Sequence, residues 1–99
     1  VIVHTVCFTL VHEPDSADEA AFLAAARATL PAIPGVHDFT VSRQVSSQSD
    51  FRFQFSMRFA DQDAYAAYDA HPAHQGFVGT RWADEVASFQ ELDFVPLPA

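Results

Sequence analysis

The stretch "FRFQFSMRF", residues 51–59, places Phe51, Phe53, Phe55, Met57 and Phe59 at one parity and Arg52, Gln54, Ser56 and Arg58 at the other. Side chains alternate across a strand, so this strict period of two predicts a strand with one wholly apolar face turned towards helices. The turn residues "SSQSD" stand just before it. Ahead of them "VHDFTVSRQV", residues 36–45, alternates Phe39, Val41 and Val45 with Thr40, Ser42 and Gln44 and predicts a second, preceding strand.

Outward on the N-terminal side, "VIVHTVCFTL" is rich in β-branched and aromatic residues. It reads as a strand with Ile2, His4, Val6, Phe8 and Leu10 on one face and Val3, Thr5, Cys7 and Thr9 on the other. Both faces are mostly apolar or small, as in a strand covered on two sides. Between the first two strands, Ser16 and Glu19 stand at capping-box spacing. The helix they open has Phe22, Leu23, Ala26 and Leu30 as its apolar stripe and ends at two prolines and Gly35. On the C-terminal side Asp61 is placed to cap "DQDAYAAYDA", Pro72 interrupts that helix, and a further helical piece runs to about Val86. "SFQELDFVP" closes the chain as a strand. The order β-α-β-β-α-β predicts an α+β, ferredoxin-like fold over residues 1–99 as a single domain: four antiparallel strands with two helices on one face.

Thirteen acidic residues against five arginines and no lysine give a net charge of -8. No basic stripe is available to neutralise phosphates, which argues against nucleic acid, and the same repulsion disfavours anionic membranes. No signal peptide and no membrane-length apolar run is evident, which leads to the expectation of a cytoplasmic protein. The lone Cys7, between Val6 and Phe8, reads as a small buried hydrophobe. No metal or organic cofactor is expected: His71 and His74 have His-x-x-His spacing, but a proline follows the first and no cysteine is near.

Several pieces recur together in one family. They are His4 within "VHTVCFTL", "IPGV" after the first helix, an aromatic strand before the second, "YDAHPAHQGF", and the aspartate of "LDF". In this combination the chain resembles the stress-responsive α/β-barrel domain family, Dabb, over nearly its whole length. The resemblance implies a homodimer in which two four-stranded sheets pack into an α+β barrel with the helices outside. Arg52, Gln54, Ser56 and Arg58 would then face the dimer side. Plant members of the family include a cofactor-independent polyketide cyclase, a lyase, that closes its product by aldol condensation. Its tyrosine and second histidine transfer protons, and Tyr68 and His74 match them here. His4 and Asp93 match other polar positions near the pocket, and Phe53 stands where the cyclase carries a further histidine.

Aldol chemistry needs a base for a proton beside a carbonyl and a donor for the enolate oxygen. His74 as base and Tyr68 as donor fit those roles, with His4, Phe53, Asp93 and His71 as candidate substrate contacts. Each has a structural counterpart. His71 precedes Pro72 and can cap the next helix, His74 can tie itself to backbone groups, and His4 and Asp93 can satisfy one another across neighbouring strands. Tyr65 and Tyr68 at helical spacing read as core, and only the motif sets Tyr68 apart. His12 and His37, near strand ends, read as solvated. The expected function is a homodimer with a hydrophobic pocket that binds or transforms a small carbonyl-bearing compound. The alternatives are a cyclase or lyase using His74 and Tyr68, a non-catalytic assembly protein, and a cofactor-free monooxygenase.

Overall fold

The computed structural model describes residues 1–98. The chain runs β1 (Ile2–Leu10), α1 (Ala17–Thr29), β2 (His37–Arg43), β3 (Phe53–Phe59), α2 (Gln62–Ala70), α3 (Pro72–Phe77), a π-helical turn (Val78–Trp82), the short α4 (Ala83–Glu85) and β4 (Val86–Phe94). The four strands form one antiparallel sheet in the order β2-β3-β1-β4. The fold is thus the ferredoxin-like α+β arrangement that the hydrophobic pattern predicts, with all helices on one face.

The apolar parity of β3 is the floor of the core. Phe53, Phe55, Met57 and Phe59 are all buried beside Val6 and Phe8 of β1, and Phe22 and Ala26 of α1 close over them with Leu30, which follows the helix. Phe8 touches Phe55 and Phe22 with ring centroids 4.6 and 5.9 Å apart. Each fully buried ring contributes about 1.5–3 kcal/mol through removal of apolar surface from water.

Local chemistry sets the ends of the elements. The Ser16 hydroxyl accepts the Glu19 N–H at 3.2 Å, as the capping box requires. Glu19 does not return the bond to Ser16, whose N–H already donates to the Glu13 carbonyl. Its carboxylate instead accepts the Asp15 N–H at 3.0 Å and Arg52 Nε at 2.8 Å. Arg52, expected on the dimer side, therefore turns to α1, because it precedes the first residue of β3 and a buried carboxylate captures it. Gly35 takes φ 91°, a left-handed conformation that favours glycine, in the turn from α1 into β2.

Strand β2 stops at Arg43, two residues short of the expected end, and Val45 is left exposed. The Gln44 side chain is the reason: its amide donates to the carbonyls of Ser49 and Phe51 and its oxygen accepts the Ser46 N–H, so the turn closes around it. His12 also departs from expectation, for its Nε2 lies 2.7 Å from Glu85 Oε1 in a half-buried pair.

The sheet's other face carries Val3, Thr5, Cys7 and Thr9 of β1, Gln54, Ser56 and Arg58 of β3, and Leu92 and Phe94 of β4. Among the described residues no helix covers it, and they span only 18 Å across the thinnest axis, one sheet and one helical layer. Among the described residues no helix is long and apolar enough to cross a membrane.

Candidate active site

Between the two layers lies a cavity of about 280 Å³. Its body is apolar, with Val6, Phe55 and Met57 from the sheet, Leu30 from just past the end of α1 and Phe77 from α3. Trp82 closes one side, where the π-helical turn brings its ring 5.1 Å from Phe8 and edge-on to Phe89 at 5.6 Å. Polar groups enter at two places.

The first lies where α2 gives way to α3. Pro72 has no N–H and its ring disfavours helical backbone in the residue before it, so His71 is extended, with ψ 137°. His71 Nδ1 accepts the Ala73 N–H at 3.0 Å and caps α3. The break also leaves the Asp69 carbonyl free of the helical ladder. His74 Nδ1 donates to it at 2.9 Å, and Gln75 Nε2 donates at 2.7 Å. Because a carbonyl can only accept, the Nδ1 of His74 carries the proton. In the neutral ring Nε2 is then the lone-pair nitrogen, and it meets no hydrogen-bond donor among the described residues. The Tyr68 ring lies 4.5 Å from the His74 ring, centroid to centroid, and both border the cavity. Among the described residues no fully buried hydroxyl lacks a hydrogen bond, so the Tyr68 hydroxyl, which bonds to none of them, keeps its access to the cavity. Burial, with smaller contributions from Asp69 and Glu91, raises its pKa, which holds it as a donor at neutral pH.

The second polar place is the sheet wall between β1 and β4. The register sets His4 opposite Asp93 and Val6 opposite Glu91, so all four face the helices. His4 Nδ1 lies 2.5 Å from Asp93 Oδ1 and 3.2 Å from the Tyr65 hydroxyl, which itself donates to Glu91 Oε1 at 3.0 Å. Burial and then Glu91 raise the Tyr65 pKa, so this phenol also stays protonated.

The expected residues therefore separate. Tyr68, His74 and His4 border the cavity together, and Asp93 stands behind His4 and holds its ring. Phe53 is buried against Phe8 at 5.8 Å, with the Arg52 guanidinium over its ring, and does not reach the cavity; Phe55 takes the position expected of it. His71 is spent on its helix cap and does not line the cavity either. Sequence reasoning missed Tyr65, assigned to the core, and Glu91. Both carried a signal: Tyr65 is one helical turn before Tyr68, and Glu91 shares the parity of Asp93. One donor atom each from His4, Glu91 and Asp93 lie within 4.8 Å of one another, close enough for a cation to bridge them, whereas His71 and His74 both point their Nδ1 atoms at backbone groups.

The family model described as the Stress Responsive A/B Barrel Domain, Dabb, matches residues 2–96. The chain belongs to the Dabb family. A Dabb protein of ferredoxin-like fold from Mesorhizobium loti is similar to it throughout, with 50% identity, 98% of this chain and 97% of that one covered, and a TM-score of 0.97. A dimeric ferredoxin-like protein of unknown function from Thermobifida fusca shares the fold at 18% identity, with 96% and 90% covered and a TM-score of 0.75. So does the hydroxynitrile lyase of Passiflora edulis, at 10% identity, 99% and 94% covered and a TM-score of 0.83. No protein of curated function matches this Dabb chain by sequence.

Proposed function

We propose that this Dabb chain is a cytoplasmic homodimer whose cavity binds a small, largely apolar carbonyl compound and moves a proton at the carbon beside the carbonyl. The observation that carries this reading is the His74–Tyr68 pair. The Nδ1 proton of His74 is donated to the Asp69 carbonyl, its other nitrogen is the base, and a phenol whose pKa burial raises stands beside it. A substrate carbonyl oxygen at the Tyr68 hydroxyl would place its α-carbon near His74, and the negative charge formed as His74 Nε2 takes the proton would fall on the oxygen that Tyr68 steadies. The fold likeness to a lyase is consistent with such chemistry. The residues themselves supply both proton positions.

The test is deuterium exchange at the α-carbon of aryl methyl ketones in heavy water, followed by NMR. The protein should accelerate exchange over buffer, and His74→Ala should lose at least about a hundredfold of that acceleration. Exchange at the buffer rate for the whole ketone series would retire the catalytic reading.

The uncovered face of the sheet supports the dimer. Leu92 and Phe94 are about half exposed there, beside the polar row of β3, and a second copy laid on this face would cover both. A dimeric protein of the same fold fits that arrangement.

A further inference from the structure

Charge around the cavity is one-sided. Asp69 and Glu91 line it, no arginine does, and the chain has no lysine. Three arginines are committed elsewhere: Arg52 to Glu19 and Asp15, Arg58 to Asp38, and Arg81 to Glu85. On the sheet wall the single imidazole of His4 faces two carboxylates. Asp93 is 2.5 Å from its Nδ1, and Glu91 is 3.9 Å away. The group that orients Glu91 is a neutral phenol, Tyr65, so even a protonated His4 would leave this wall with net negative charge. Phe89, two residues before Glu91 on the same face of β4, and Trp82 next to it bring aromatic rings to the same side of the cavity. Carboxylate together with aromatic rings is the chemistry that holds an organic cation. The volume of the cavity suits an organic molecule rather than a bare ion.

The geometry points to a ligand with an apolar body and a positively charged nitrogen, seated with that nitrogen at Glu91 and Tyr65, and to the exclusion of carboxylates and phosphates. This assignment rests on the reading of the cavity as the ligand site. It makes Glu91 and Tyr65 specificity determinants, with the Tyr65 ring 6.4 Å from that of Tyr68 on the same helix.

Three probes that share one phenyl ring and differ in charge separate the outcomes: benzyltrimethylammonium, benzyl alcohol and benzoate, titrated at fixed ionic strength and followed by amide chemical shifts. The ammonium should bind about fivefold or more tighter than the alcohol, with benzoate weakest. Glu91→Gln should abolish the ammonium's advantage and leave benzyl alcohol where it was. Benzoate binding as tightly as the ammonium, or an equal loss for all probes in Glu91→Gln, overturns the charge assignment while the cavity stays a binding site. Silence from all three overturns the cavity reading as well. Magnesium chloride that displaces the ammonium and shifts the same resonances at lower concentration would reassign Glu91 to a metal ion, and the organic cation falls.

Discussion

Glu19 shows how one side chain serves two levels of the structure. It stands at the third position of α1, yet its carboxylate is spent on the Asp15 N–H and on Arg52 at the start of β3, stapling helix to sheet. The Arg52 hydrogen bond holds its carboxyl below the usual 4.5, against the opposing effect of burial. A depressed carboxyl stabilises the fold above its unfolded value, and this contribution is lost as pH falls through the folded one. Arg52→Met should therefore lower the urea midpoint at neutral pH, and the gap from wild type should close progressively as the pH drops below about 4.5. A gap of constant size across that range would mean the guanidinium acts by packing alone. The same scale shows what the sequence holds back. The His4–Asp93 pair is anticipated by a polar residue on an apolar face, but that Glu91 joins it opposite Val6 depends on the register of β4 against β1, which no local pattern encodes.

At the scale of elements, β3 is legible from Phe53 to Phe59 because its burial pattern and its period are the same thing there, while Phe51 and Arg52, expected in the strand, precede it. Strand β2 is less so. Its alternation continues to Val45, but the Gln44 amide ends the ladder by offering the turn better partners than the next strand could. The helix break at Pro72 is legible for the same reason as β3, since proline acts on the backbone directly. The division of labour between its two histidines is legible in part: the place of His71 before Pro72 marks it as a cap, whereas only the geometry shows His74 tied to the Asp69 carbonyl and bordering the cavity. That division is testable. His71→Ala should cost about 1 kcal/mol in urea unfolding, the usual worth of a side-chain cap, and leave most of the ketone exchange intact. A loss of exchange as deep as that of His74→Ala would move His71 into the proton-transfer machinery.

For the molecule as a whole, thinness is the governing fact. Two layers over 18 Å bury one face of the sheet and leave the other with Leu92 and Phe94 about half exposed. In sedimentation velocity the wild-type chain should run as a dimer, and Leu92→Arg, which sets a charge on that face at the edge strand β4, should shift it towards the monomer. A variant that still sediments as the wild type does would place the contact elsewhere. Dimerisation across that face would leave the cavity on the opposite side of the sheet, so binding of the cavity probes and subunit exchange should vary independently.

Pro72 and the extended His71 have a consequence for the distance between donor and base. Tyr68 rides on α2 and His74 on α3, two rigid pieces that meet at a single joint, the backbone of His71. A few degrees at that joint widen or narrow the gap between phenol and imidazole, against the restraint of the two hydrogen bonds that His74 and Gln75 of α3 make to the Asp69 carbonyl of α2. Substitutions in the packing of α3, at Phe77 for instance, can thus retune the reach of the pair for substrates of different length, while the residues that carry the protons stay the same.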